Sequence, residues 1–220
     1  MLEYRGLEIR WLGHAGFSVR GGGREIVFDP YQIKTRREAD IVFITHDHFD
    51  HLSVNDLKRV SAPEKTTILA SKNCMARLEG VACKSKVLVT AGDRGEAGEV
   101  RYTVVPAYNV NKFRSPGVVY HPREYGGVGF IVEFFGVRIY HPGDTDFIPE
   151  MRGLGKIDVA FLPVSGVYVM TAQEAAEAAN TIAPDVAIPM HYGSIVGSRK
   201  EAEEFKRRAK CRVEILEPEG

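Results

Sequence analysis

The segment Thr45-His46-Asp47-His48-Phe49-Asp50-His51 places five side chains of metal-binding type within six consecutive residues. Imidazole nitrogen and carboxylate oxygen are ligands that zinc takes at about 2.0–2.2 Å, so a short loop must aim several of them at one point. His46 and His48 are two residues apart on a segment leaving a strand and can face the same way. Asp50 and His51 follow where the chain turns toward a helix and are placed to serve a second ion, with Asp47 facing elsewhere. A divalent ion lowers the pKa of bound water from about 15.7 to roughly 7 and polarises the carbonyl or phosphoryl oxygen under attack. The expected chemistry is therefore attack by metal-bound hydroxide, with Asp50 orienting it or taking its proton.

Two later segments have the same layout, an apolar run ending in ligand-type residues. They are Val137-Arg138-Ile139-Tyr140-His141-Pro142-Gly143-Asp144 and Val186-Ala187-Ile188-Pro189-Met190-His191. Beside the histidine segment, Asp144 reads as a bridging carboxylate and His191 as a further ligand. Asp29, before Pro30, either orients the ligand loop or caps a turn. His14, flanked by glycines in a hairpin turn, either reaches the mouth of the site or makes a structural hydrogen bond. His141 reads as structural. Tyr168 and Tyr192 are placed to donate to a substrate oxygen or to pack in the core.

The elements that must position these residues are mostly strands. The pattern predicts strands over 8–12, 16–20, 25–28 and 41–44, a helix capped by Ser53 to about Val60, and a strand over 67–70. A helix over 72–79 and a strand over 86–90 follow. In the second half, strands are predicted over 100–106, 128–134, 137–140, 157–162, 186–190 and 212–216. Thr171-Ala172-Gln173-Glu174 reads as a capping box opening a helix to about Ile182, stopped by Pro184, and a charged helix spans about 199–210. Two strand-rich halves, each with helices, imply one domain over residues 1–220, built as two packed sheets with helices on the outer faces.

Twenty-nine basic residues balance twenty-nine acidic ones. Such a chain has no global field to hold nucleic acid or an anionic membrane, and the expected partner is a small-molecule substrate. A homo-oligomer is compatible with the sequence. Cys74, Cys83 and Cys211 form no Cys-x-x-Cys pair, and the amino terminus lacks the apolar stretch of a signal peptide. Both features point to the reduced cytoplasm.

His46-x-His48-x-Asp50-His51, Gly143-Asp144-Thr145 and Met190-His191-Tyr192-Gly193 resemble, in order and spacing, the motifs of the metallo-β-lactamase superfamily. Trp11-Leu12-Gly13-His14-Ala15-Gly16, Phe28-Asp29-Pro30 and Leu162-Pro163-Val164-Ser165-Gly166 are similar to its compact branch, which contains L-ascorbate-6-phosphate lactonase and N-acyl-phosphatidylethanolamine phospholipase D. The resemblance implies an α/β fold, an αββα sandwich of two mixed β-sheets with the metal site at one edge. It also implies that His46 and His48 bind one ion, that Asp50, His51 and His191 bind another, and that Asp144 bridges them. One ligand departs from the pattern. Where the family usually has a histidine after a strand like 102–107, this chain has Asn109, a weaker zinc ligand, and His121 on the following loop is the candidate substitute. One or two ions are expected, zinc first, with manganese, iron or nickel also accepted by His/Asp sites.

The resemblance implies a metal-dependent hydrolase acting on a small ester, lactone or phosphodiester, with a phosphorylated metabolite foremost. Lys112, Arg114 and Arg123, near His121 in a long Gly/Pro-containing connection, suit a phosphate or are simply solvated. The rival functions are a nuclease or phosphodiesterase acting on nucleic acid, and a non-enzymatic or redox metal protein.

Overall fold

The computed structural model describes residues 1–219 as two seven-stranded mixed sheets packed face to face. The first sheet runs in chain order: β1 (Leu2–Tyr4), β2 (Leu7–Gly13), β3 (Gly16–Gly21), β4 (Arg24–Phe28), β5 (Ile41–Ile44), β6 (Thr67–Ser71) and β7 (Ser85–Val89). Strands β1 to β4 form an antiparallel meander, and β4 to β7 are parallel. After β8 (Arg94–Ala97) and β9 (Val100–Pro106), a separate hairpin of β10 (Phe113–Ser115) and β11 (Val118–Val119) stands outside both sheets. The second sheet is completed by β12 (Val128–Phe134), β13 (Val137–His141), β14 (Val159–Pro163), β15 (Val186–Met190) and β16 (Arg212–Val213). Its strand order is β16-β15-β14-β13-β12-β9-β8, parallel from β13 to β16.

Continuous apolar runs form the central strands because both of their faces are covered. In β4 and β5, Ile26, Phe28, Ile41 and Phe43 face the opposing sheet, while Val27, Val42 and Ile44 face outward under helix α1 (Val54–Val60). Between the sheets, Phe17 stacks on Phe161 at 3.8 Å and Phe43 lies 4.9 Å from Phe130. Helices α2 (Ala172–Ile182) and α3 (Arg199–Arg208) cover the outer face of the second sheet through Ala175, Ala179, Ala202 and Phe205.

The predicted capping box is present: the Thr171 hydroxyl accepts from the Glu174 N–H, and the Glu174 carboxylate accepts from the Thr171 N–H. Helix α2 ends at Ala183, which turns left-handed one residue ahead of Pro184. Three expectations differ from the structure. The helix expected over 72–79 is a 3-10 helix ending at Leu78. The last strand stops at Val213, with Leu216 buried against the core beyond the ladder. Strands β1, β8, β10 and β11, each of two to four residues, carry too short a pattern for periodicity to register.

Candidate metal centre

The parallel strands of both sheets deliver their carboxyl ends to one edge. Asp29 follows β4, Thr45 and His46 follow β5, Asp144 follows β13, Ser165 follows β14 and His191 follows β15. Backbone hydrogen bonds lace these loops together. The Val128 N–H donates to the Thr45 carbonyl across the two sheets, and the His191 N–H donates to the His14 carbonyl. Gly143 lets the Asp144 loop close on Thr45: a Cβ there would lie 2.7 Å from the Val128 carbonyl oxygen and 3.0 Å from Thr45 Cβ.

Asp144 is the focus of the cluster. Its Oδ1 lies 3.1 Å from His51 Nε2, and its Oδ2 lies 3.2 Å from His191 Nε2, 3.6 Å from His121 Nε2 and 3.9 Å from His46 Nε2. Each of these four rings is held from behind through Nδ1. Asp29 Oδ2 lies 2.7 Å from Nδ1 of His51, Thr45 Oγ1 lies 3.0 Å from that of His46, Ser165 Oγ lies 3.2 Å from that of His191, and Asn109 Oδ1 lies 2.8 Å from that of His121. Partners of this kind fix ring orientation and leave the far nitrogen's lone pair for a ligand. Asp29 also accepts from the Thr45 backbone N–H and hydroxyl, so it orients the ligand loop, the first of the two roles open to it in the sequence.

Eight residues could hold metal, in two groups of four. His46, His48, His121 and Asp144 form one group, and His14, Asp50, His51 and His191 form the other; within each, one ligand atom per residue lies within 4.8 Å of the rest. Asp144 touches both groups. Nε2 of His46, His51 and His191 and Oδ1 of Asp144 are buried with no hydrogen-bond partner among the described residues. A buried unsatisfied polar atom costs about 1–3 kcal/mol, and cations held by the two groups would satisfy these atoms. The donor set therefore fits a divalent ion.

The electrostatics agree with that fit. Burial drives the His46 imidazole well below its ordinary pKa, leaving it neutral, as a ligand must be. Burial acts the same way on His51, but the Asp144 and Asp29 carboxylates outweigh it and raise the group well above the usual histidine range, which marks a position favouring positive charge. Burial pushes His14 down to about 4 against the pull of its hydrogen bond to Asp50. For Asp50 itself, burial is outweighed by that hydrogen bond and by the His51 charge, and the carboxylate is held at about 2.

The remaining sequence candidates find definite places. His14 is buried, with Nε2 2.9 Å from Asp50 Oδ2, and belongs to the second group rather than only to the mouth. Asn109 is not aimed at the cluster as a ligand: its Nδ2 donates to the Tyr168 carbonyl and its Oδ1 accepts from His121. His48 is exposed, with Nδ1 3.2 Å from His121 Nε2. Asp47 turns away and accepts from the Tyr125 hydroxyl, while Arg77 binds the Asp47 and Leu52 carbonyls and braces the loop. His141 bonds the Ala15 carbonyl at 2.8 Å and accepts from the Gly143 N–H, a structural role. Tyr192 stacks on Trp11 at 4.8 Å, and burial pushes its hydroxyl up to about 12. A cleft of about 390 Å³ opens beside His14, lined also by Trp11, Tyr31, Tyr192, Gly193 and Arg199. Sequence reasoning missed the orienting hydroxyls of Thr45 and Ser165. Their signal was a hydroxyl residue one or two positions past an apolar strand.

A sequence profile described as "Beta-lactamase superfamily domain" matches residues 8–191, most of the chain and every residue of both groups. The chain belongs to that superfamily. A UPF0173 metal-dependent hydrolase of Methanoculleus marisnigri is 35% identical over 96% of this chain and 94% of its own length. A second, from Methanopyrus kandleri, is 32% identical over 96% of this chain and 97% of its own. Among solved structures, one from Parabacteroides distasonis described as a metal-dependent hydrolase superposes with a TM-score of 0.83 at 34% identity, covering 97% of this chain and 94% of that one. Igni18, a metallo hydrolase of Ignicoccus hospitalis, shares the fold with a TM-score of 0.77 at 24% identity over 97% and 96% of the two chains. The protein is a metal-dependent hydrolase of the metallo-β-lactamase superfamily, with the expected pair of mixed sheets.

Proposed function

We propose that the protein hydrolyses a small ester, lactone or phosphodiester at the edge where Asp144 meets the four oriented imidazoles. The single observation that carries this reading is the shared geometry of His46, His51, His121 and His191, each held through Nδ1 with Nε2 turned toward the Asp144 carboxylate. His46, His48 and His121 would hold one divalent ion and His14, Asp50, His51 and His191 a second, with Asp144 between them and zinc the best match to the His/Asp donors. When bound, such an ion acidifies water to near neutrality and draws charge from the oxygen under attack.

The chain's own groups do the rest. Asp50, ionised and hydrogen-bonded to His14, orients the attacking water by accepting its hydrogen bond. The water oxygen bonds to the acyl carbon or phosphorus, the bond to the leaving oxygen breaks, and the departing alkoxide takes up the proton that the water gives up. The Tyr192 hydroxyl stays protonated at neutral pH and lines the cleft that the substrate enters. Of the three cations expected to meet a phosphate, two are already neutralised: Lys112 by Asp146 and Glu174, and Arg123 by Glu150. That favours uncharged esters and lactones over a phosphorylated metabolite.

The test measures metal content and turnover together, across ester, lactone, phosphodiester and oligonucleotide panels, for the native protein and for His48→Ala and Asp144→Ala. Joint loss of metal and turnover is expected. Full activity in metal-free His48→Ala would overturn the proposal, and turnover of oligonucleotides alone would replace it with a nuclease.

A further inference from the structure

Four of the candidate ligands, His46, His51, His121 and His191, are held through Nδ1 by an acceptor behind the ring. His48 is not. Its Nδ1 is the nitrogen turned inward, 3.2 Å from His121 Nε2, and it is the exposed member of its group. The orienting device that serves the other four is therefore closed to it, and no side-chain acceptor meets its Nε2 among the described residues. A ring left free on an exposed loop keeps its rotamers, and an ion that bound it would lose affinity in ordering it.

What holds His48 comes from a neighbouring loop. Tyr125, the last residue of a 3-10 turn over Arg123–Tyr125, packs its ring against His48 at 5.6 Å and 34°. Its hydroxyl donates to the carboxylate of Asp47, the residue before His48. One element anchors both ends of this link, the 3-10 helix Lys72–Leu78: Asn73 Nδ2 donates to the Tyr125 carbonyl at 2.8 Å, and Arg77 donates to the Asp47 and Leu52 carbonyls. On the far side of His48, its own carbonyl accepts from the His51 and Leu52 N–H groups. The backbone around His48 is fixed and its ring has a surface to lie against. The aromatic neighbours of Tyr125 among the described residues are His46, His48 and His121, at 6.3, 5.6 and 6.4 Å. These are the three histidines of the first group, and none of the second is among them.

We propose that Tyr125 and Asp47 are positioning residues for His48, so that the link between them sets the affinity of the first group for a divalent ion and leaves the second group unaffected. The proposal rests on the metal-centre reading above and assigns it two residues that touch no ion. Asp47, the acidic residue in the middle of the histidine segment, orients a ligand through its loop in the way that Asp29 orients His51 through its ring. Without the link, the ion must order both loop and ring as it binds, and partners that orient a ligand are typically worth about 10- to 100-fold in metal affinity.

The test is a zinc titration of the metal-free protein in competition with a chromophoric chelator, which reads the affinity of each equivalent. His121→Ala and His191→Ala serve as markers, because each deletes a ligand of one group. Tyr125→Phe keeps the ring and loses the hydroxyl. In it, the equivalent missing from His121→Ala is expected to weaken about 10-fold, and the one missing from His191→Ala to be unchanged. Asp47→Ala is expected to match it, and the double variant to be no weaker than either single one, since both remove the same bond. Asp47→Asn, which keeps an acceptor, is expected to recover most of the loss. Circular dichroism of the metal-free forms checks the fold, and if Asp47→Ala does not fold, Tyr125→Phe against Asp47→Asn carries the comparison. Equal weakening of both equivalents marks a brace of the whole fold and overturns the proposal, as does native affinity in Tyr125→Phe. A native protein that takes up only the equivalent missing from His191→Ala overturns it as well. Uptake of no zinc sinks the metal-centre reading with it, whereas the expected pattern without turnover of any ester or lactone leaves the positioning pair standing and sinks the hydrolytic reading alone.

Discussion

Asn109 Oδ1 accepts two hydrogen bonds from the same residue, from the His121 backbone N–H at 2.9 Å and from its Nδ1 at 2.8 Å. One side chain fixes both the position of the loop and the rotation of the ring. The position where the resemblance led one to look for a histidine holds instead the residue that brings a histidine in from another loop. Replacing Asn109 with Leu leaves the backbone N–H and Nδ1 of His121 without this acceptor. Metal affinity is expected to fall about 10- to 100-fold, as for other groups that orient a ligand. Asn109→Asp, which keeps the acceptor, is expected to recover most of it. Chelator competition measures the difference, and equal affinity in all three proteins would remove Asn109 from this role.

Metal removal is expected to lower thermal stability. The orphaned nitrogens of His46, His51 and His191 come from loops of both sheets, so an ion bound only in the folded state stabilises the joint between them. At a hundredfold excess over Kd the linkage is worth about 2.7 kcal/mol, or roughly 5–10 °C in Tm for a chain of this length. Scanning fluorimetry with and without chelator reads it. His191→Ala is expected to shrink the shift, and an unchanged Tm on stripping would contradict the assignment.

Away from the centre, Glu25 governs part of the acid stability. Burial would raise its pKa, but the Ser18 and Arg20 hydrogen bonds and the Arg37 charge outweigh it and hold the carboxylate below its ordinary value. A depressed carboxylate contributes stability above its unfolded pKa, near 4.3, and that stability is lost as pH falls through the folded value. Glu25→Gln is expected to cost about 1.5–3 kcal/mol at pH 7, with the gap from the native protein closing below pH ~4. Urea unfolding at pH 7, 5 and 3 measures it. A gap independent of pH would show that packing, not charge, is what the variant lost.

Gly143→Ala is expected to displace the Asp144 loop. The added Cβ would lie 2.7 Å from the Val128 carbonyl oxygen, on a backbone whose φ is +66°. Strain of about 1–3 kcal/mol follows, together with loss of metal, because Asp144 lies against both groups. Retained metal stoichiometry with lowered Tm would separate the two effects and show that the loop tolerates the shift.

Much of this centre was legible along the chain because strands covered on both faces carry an unbroken apolar signature. Ile41–Ile44 and Val186–Met190 announced themselves, and candidate ligands His46 and His191 follow at their ends. His14 was ambiguous because its place depends on the β2–β3 turn meeting the end of β15, a contact across nearly the whole chain. Thr45 and Ser165 were silent for a different reason. A hydroxyl past a strand has many ordinary uses, and only the folded geometry shows which imidazole it faces.

The four oriented rings do not share one kind of partner. His51 leans on a carboxylate, His46 and His191 on hydroxyls, and His121 on an amide. A charged acceptor behind an imidazole makes its far nitrogen a stronger electron donor than a neutral acceptor does. The edge shared by the two sheets is therefore electronically lopsided before any ion arrives. Basicity as well as shape will decide which half of it a scarce cation occupies first.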